Sequence, residues 1–158
     1  MRACVVSDTH GNLSRVMRFL SENRHLYDEI WHLGDYIKDI ESIKAMVTCP
    51  VYGVKGNCDY YSSESEALIK VIDGVRVLLT HGHEFRVKSH LTNLFYYAKQ
   101  ENIDVVCFGH THVPVNATED GILFFNPGSA SLPRAGFKNS VGIIEIARGK
   151  VAATHIYI

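Results

Sequence analysis

Seven side chains with oxygen or imidazole donors fall in five short clusters, each beside a glycine: Asp8 and His10, Asp35, Asn57, His81, and His110 with His112. Two carboxylates, one amide oxygen and four imidazoles, with no thiolate, make a mixed oxygen and nitrogen set. Such a set suits first-row divalent ions better than calcium or a structural zinc site. Seven donors are too many for one ion and fit two ions that share a carboxylate. The neighbouring glycines let the backbone turn sharply and come close to a metal or ligand. An isolated Asp-x-His is more often a surface turn or a helix cap. Five clusters in order outweigh that reading, because carboxylates and imidazoles gathered without a cation are costly to hold together.

The elements that must carry these residues follow from periodicity. Residues 2–7 form an apolar run that predicts a strand, and Leu13, Val16, Met17 and Leu20 recur at helical spacing within 12–23. Strand, helix and strand follow at 29–33, 37–46 and 51–55, with Pro50 ending the helix. This β-α-β-α-β order signals a sheet with helices packed on it. In the second half, 67–72 and 75–80 flank Asp73-Gly74, a strong hairpin signal. A helix is expected at 89–102 and a buried strand at 105–108, then strand pairs 115–118 with 122–126 and 141–147 with 151–158 around glycine-containing turns. Apolar stretches thus end at each donor cluster, and in layered α/β proteins such strand ends meet on one sheet edge. The expected architecture is a four-layer α/β/β/α sandwich of two mixed sheets flanked by helices, with residues 1–158 forming one domain.

The ordered pattern D-x-H, G-D, G-N-x-D, H and G-H-x-H resembles the calcineurin-like metallophosphoesterase superfamily, and within it the small single-domain phosphodiesterases. The match runs from residue 8 to residue 112, and Asn126-Pro127-Gly128-Ser129 resembles a further family feature. The resemblance implies that Asp8, His10 and His112 hold one metal, that Asn57, His81 and His110 hold the second, and that Asp35 bridges them. Two ions roughly 3.5–4 Å apart can lower the pKa of a bridging water and present hydroxide to phosphorus. The implied activity is divalent-metal-dependent hydrolysis of small phosphodiesters. Manganese is the leading activator, with iron, zinc, nickel, cobalt or magnesium as alternatives. Asp35, Asn57, Cys58 and His81 are the catalytic candidates, and Asn57, Cys58, His83 and Arg134 the substrate-binding ones. The wider superfamily commonly has His where this chain has Cys58. A thiol of reference pKa about 8.5 is a poor proton donor to an alkoxide, so aryl leaving groups are expected to react more readily than alkyl ones.

Asp59 is expected to support His10 or a loop amide. His25, His32, His90 and His155 are expected to be surface or packing residues. Tyr60-Tyr61, beside Asn57, is read either as a stacking surface for a substrate ring or as interface or core.

Composition narrows the rest. At 158 residues and 46% hydrophobic, the chain can bury a sizeable core but has no room for a second catalytic domain. Net charge is -1 with the 16 Lys and Arg scattered, so neither a nucleic-acid partner nor a nuclease groove is indicated. No apolar window nears the roughly 18 residues of a membrane span. Four isolated cysteines are expected as free thiols in a reducing cytoplasm. A homo-oligomer is expected. The rival functions are a phosphomonoesterase, which would draw on Arg86, Lys88, Arg134 or Lys138, and a non-catalytic assembly scaffold of the same fold.

Overall fold

The computed structural model describes residues 1–158. Strands β1 (Arg2–Val6), β2 (Glu29–His32) and β3 (Val51–Gly53) are parallel. The C-terminal hairpin of β9 (Ser140–Ala147) and β10 (Lys150–Tyr157) joins them antiparallel to β1, giving the order β10-β9-β1-β2-β3. The second sheet has the order β4-β5-β6-β8-β7. It is built from β4 (Ala67–Ile72), β5 (Val75–Thr80), β6 (Val105–Phe108), β7 (Val115–Glu119) and β8 (Ile122–Asn126). Here β5, β6 and β8 are parallel, and β4 and β7 are antiparallel edges.

Alternation along the strands builds the layers. Ala3 and Val5 of β1 face Val77 and Leu79 of β5 and Cys107 of β6 across the space between the sheets. Cys4 and Val6 point the other way, onto Val16, Phe19 and Leu20 of α1 (Ser14–Glu22) and Ile43 of α2 (Asp39–Met46). Leu78, Val106 and Phe108 likewise meet Leu94 and Ala98 of α3 (Thr92–Gln100). The result is the four-layer α/β/β/α sandwich of two mixed sheets. Across it, Lys70 of β4 pairs with Glu29 of β2 at 2.8 Å, and Glu29 also accepts from Trp31 Nε1 at 2.6 Å.

The helices are shorter than periodicity predicts. Asn12 Oδ1 accepts from the Ser14 hydroxyl at 2.8 Å, a local turn that competes with helix and delays α1 to Ser14. Strand β3 stops at Gly53 because Lys55 N–H turns to Ser65 O at 3.0 Å. A short 3-10 turn at His83–Phe85 was not foreseen. No helix is long and apolar enough to cross a membrane.

Strands β1, β2, β5 and β6 all end at one face of the sandwich, where the donor clusters lie. At the opposite face, β4–β5, β7–β8 and β9–β10 turn through Asp73-Gly74, Asp120-Gly121 and Arg148-Gly149, all six residues at positive φ. This is the two-residue hairpin turn whose twist matches that of paired strands.

Candidate metal centre

Five of the seven donors, Asp8, His10, Asp35, His110 and His112, have φ between +45° and +65°. Non-glycine residues rarely adopt this region, and their clustering marks a place where the fold holds strained backbone. Thr111 N–H closes onto Gly109 O at 2.7 Å with φ +65° at His110, a three-residue closure of the strained γ-turn kind.

The side chains gather into two groups sharing Asp35: Asp8, His10, Asp35 and His112, and Asp35, His81 and His110, with ligand atoms in each group within 4.8 Å of one another. Asn57 joins the second group, its Oδ1 lying 3.2 Å from His81 Nε2. The hydrogen bonds on the far side of the rings define what faces inward. His81 Nδ1 lies 2.7 Å from Leu33 O and His112 Nδ1 lies 2.6 Å from Leu132 O. A carbonyl can only accept, so both Nδ1 atoms carry protons, and Nε2 is the nitrogen that each ring turns into the cluster, where it can ligate a metal once unprotonated. His81 Nε2 then faces Asn57 Oδ1, Asp35 Oδ1 at 3.3 Å and His110 Nδ1 at 3.2 Å. His112 Nε2 faces Asp8 Oδ1 at 3.1 Å and His10 Nε2 at 3.4 Å. With their Nε2 atoms unprotonated, these rings and carboxylates would repel unless a cation lay between them, and the buried Asp8 Oδ1 has no hydrogen-bond partner. Both groups therefore fit divalent ions.

Without a cation, Asp8 and His112 behave as an ion pair, which a metal ion would replace. Burial pushes the Asp8 carboxyl up, but contact with His112 and the charges of His81 and His112 outweigh it, and the net shift is downward. His112 is raised, chiefly by Asp8. His110 falls to about 4 through burial and then His81, so it stands neutral and ready to ligate at neutral pH.

A supporting layer orients the donors. Asp8 Oδ2 accepts from Ser7 Oγ at 2.6 Å and His110 N at 3.1 Å. Asp35 Oδ1 accepts from Cys58 N at 2.9 Å, and Oδ2 from Cys58 Sγ at 3.2 Å. Asn126 Nδ2 donates to Gly109 O at 2.8 Å, and the Ser129 and Ser131 hydroxyls donate to Asp8 O at 2.9 and 3.1 Å. Residues 126–131 thus brace two donor loops, for which the sequence signals are the turn composition and family resemblance of 126–129.

Asp59 serves loop amides, accepting from Tyr36 N and Ile37 N at 2.9 Å and Gly56 N at 2.8 Å, and does not meet His10 in a hydrogen bond. His83 packs beside the second group, its ring 5.4 Å from that of His81 and 6.0 Å from that of His110. Arg134 stays at the exposed rim, Nε donating to Thr111 O at 3.4 Å.

His32 does more than pack. It is fully buried and accepts from Gly34 N at Nδ1 (3.2 Å); its Nε2 lies 3.1 Å from Thr9 Oγ1, which donates to Asp35 O at 3.4 Å. The ring therefore links the Asp8–His10 loop to Asp35, and its only sequence signal is a histidine closing an apolar strand.

A sequence profile of the calcineurin-like phosphoesterase superfamily domain matches residues 1–149. The probable metallophosphoesterase YsnB of Bacillus subtilis is 32% identical over 146 residues, covering 92% of this chain and 85% of the relative. Phosphodiesterase YfcE of Escherichia coli is 34% identical over 173 residues, covering 92% and 88%. Among solved structures, a predicted phosphoesterase from Streptococcus pneumoniae superposes with a TM-score of 0.84 at 28% identity, covering 99% of this chain and 88% of that one. Vps29 of Entamoeba histolytica complexed with zinc shares the fold at a TM-score of 0.76 and 22% identity, covering 99% of each chain.

Proposed function

The chain belongs to the calcineurin-like phosphoesterase superfamily, and from that premise we propose that it hydrolyses small phosphodiesters with two divalent ions bound at the paired donor groups. Asp8, His10 and His112 hold one ion, Asn57, His81 and His110 the other, and Asp35 both. Manganese is the proposed activator, with iron, zinc, nickel, cobalt or magnesium as alternatives. The observation that carries the reading is the pair of carboxylate and imidazole groups meeting at Asp35. Bound there, the ions would lower the pKa of water for attack on phosphorus and neutralise charge on the phosphate oxygens.

The chain's own residues do the positioning. The Leu33 and Leu132 carbonyls fix the tautomers of His81 and His112. Cys58 holds both oxygens of Asp35. Burial, and then Asp35, push the Cys58 thiol up to about 11, so it serves as a hydrogen-bond donor and is a weak acid toward a leaving group. Aryl esters are accordingly the faster substrates. Asn57, Cys58, His83 and the rim guanidinium of Arg134 would meet the phosphate and its arms. We read residues 1–158 as one catalytic domain, cytoplasmic and homo-oligomeric, with no nucleic-acid partner.

The test is hydrolysis of bis-p-nitrophenyl phosphate against p-nitrophenyl phosphate by chelator-stripped protein resupplied with manganese, beside Asp35→Asn and His81→Ala. Diester turnover restored by manganese and lost in both variants is the expected result. Faster monoester turnover would make it a phosphomonoesterase. Metal binding without turnover under any divalent ion would make it a scaffold.

A further inference from the structure

Tyr60 and Tyr61 are 85% and 101% exposed, so the fold gains nothing from burying their rings. With Tyr36, Ile37, Lys38 and Cys58 they line a cleft of about 210 Å³. Two of its lining residues adjoin the donor cluster. Cys58, in its wall, donates from Sγ to Asp35 Oδ2 at 3.2 Å, and the Tyr36 ring centroid lies 6.3 Å from that of His10.

The two walls are fastened to each other. Asp59 lies in the segment that carries Tyr60 and Tyr61, and its Oδ1 accepts from Tyr36 N and Ile37 N at 2.9 Å. Its Oδ2 accepts from Gly56 N at 2.8 Å, and Ser62 N–H closes a turn onto Asp59 O at 3.0 Å. A cleft held open this way does not have to be ordered when a ligand enters, which lowers the entropic cost of binding. Its volume is below the about 300 Å³ at which pockets for drug-sized molecules begin, so it has room for one ring system. The lining is phenol rings, an isoleucine, a thiol and the Ser62 hydroxyl, with Lys38 as the one cation; the Asp59 carboxylate is already taken by three amides, and Ser62 Oγ accepts from Glu64 N at 3.1 Å. That chemistry favours a flat, uncharged aromatic group over a sugar or a second phosphate.

We propose that this cleft is a specificity subsite that stacks a planar aromatic arm of the phosphodiester on Tyr60 and Tyr61 while the phosphate lies at the paired donor groups. The proposal rests on the diesterase reading and names the substrate class within it. Tyr60 and Tyr61 act on affinity and leave the attack on phosphorus unchanged.

Two measurements test it on the manganese-loaded full chain and on Tyr60→Ala/Tyr61→Ala. The first compares phenyl p-nitrophenyl phosphate with methyl p-nitrophenyl phosphate, which share a leaving group and differ only in the other arm. Stacking of this kind is worth about tenfold, so the wild type should prefer the phenyl ester in kcat/KM by about that factor. The double variant should lose the preference while keeping its rate on the methyl ester, and Tyr60→Phe/Tyr61→Phe should retain it. The second is calorimetric binding of phenylphosphonate against methylphosphonate, which needs no turnover. A phenyl preference there that the alanine variant erases supports the subsite even if neither ester is cleaved, and in that case only the diesterase reading fails. Equal affinity for the two phosphonates in the wild type overturns the subsite, as does equal loss on both esters in the variant. A change from oligomer to monomer in the alanine variant, with ester preference intact, would make the tyrosines an interface between copies and overturn it as well.

Discussion

At one end of the sandwich, Asp73-Gly74, Asp120-Gly121 and Arg148-Gly149 take positive φ inside tight hairpins; at the other, Asp8, His10, Asp35, His110 and His112 take it outside any hairpin. The hairpin residues adopt the conformation because their own turns require it, and five of the six are Asp or Gly, types that tolerate it. His10 also sits in a local turn, closed by Asn12 N–H onto Thr9 O at 2.9 Å with Gly11 beside it at positive φ, whereas His110 and His112, with φ near +60°, lie outside any such paired turn. They are held by bonds from elsewhere in the chain: His110 N to Asp8, Gly109 O from Asn126, and the His112 ring to Leu132 O. The same backbone region is thus locally encoded in the hairpins and, at His110 and His112, imposed by tertiary contacts beside the candidate metal ligands.

The sharpest way to break the comparison is a carboxylate from each end. Asp35→Asn should lower kcat/KM for the diester on the order of a thousandfold, because the ions' charge stabilisation is worth several kcal/mol and each tenfold is about 1.4 kcal/mol. Asp73→Asn, in an exposed hairpin, should leave turnover unchanged and shift stability by no more than about 0.5 kcal/mol. Steady-state kinetics at saturating manganese decides it, and a loss below tenfold in Asp35→Asn would contradict the shared-ligand assignment.

Acid is the next lever, because a buried histidine backs the site end and none lies in the three hairpin turns. Burial holds His32 at about 4, against 6.5 when exposed. Its folded pKa is lowered, so the unfolded chain binds the extra proton between those values. The stability it contributes is complete above pH 6.5, falls as the pH drops through the window, and by pH 4 has diminished by about 3 kcal/mol. Protonation would also set an Nδ1 proton against Gly34 N–H. Urea midpoints from pH 7 to pH 4 in chelator should fall more steeply in the wild type than in His32→Gln, where the remaining slope comes from groups such as His110. Amide exchange at Gly34 should speed up before that of the hairpin strands.

Glycines give the smallest and most local contrast. A methyl group at Gly56 would meet Asp35 Oδ1, and one at Gly109 would meet Ser7 Oγ and lie 3.0 Å from Asp8 Oδ2. At Gly121 it would meet nothing within 4 Å, leaving only the cost of its φ of +78°. Gly56→Ala and Gly109→Ala should weaken manganese binding by about 10- to 100-fold, as disturbed supporting contacts do. Gly121→Ala should leave it unchanged and cost about 1 kcal/mol in thermal unfolding. Calorimetric titration with manganese distinguishes the two groups.

Much of this was legible in the chain itself. Apolar runs in residues 2–7 and 75–80 and helical spacing in 12–23 and 89–102 give the layers, because strands buried on both faces read as continuous apolar runs while a helix buried on one face leaves a period that survives in the sequence. The five donor clusters were legible because each closes an apolar run beside a glycine. His32 was not, since a histidine ending a strand reads the same whether it packs or links two loops. Ser7, Ser129 and Ser131 were not, since a serine carries no mark of the carboxylate or carbonyl it will meet. The start of α1 was not legible because Asn12 prefers its own turn, a competition that periodicity does not register.

By itself, then, the sequence determined the strand and helix order, the three hairpin turns and the set of donors, because all of these depend on residue type and near-neighbour spacing. Only the tertiary structure decided that Asp8 and His112, 104 positions apart, come within 3.1 Å, that Asp35 belongs to both donor groups, and that Asp59 fastens a tyrosine-lined cleft beside them. These depend on which strands become neighbours and on which nitrogen of each imidazole is tied to a distant carbonyl. Such pairings are set by the packing of two sheets and are not written in any one segment.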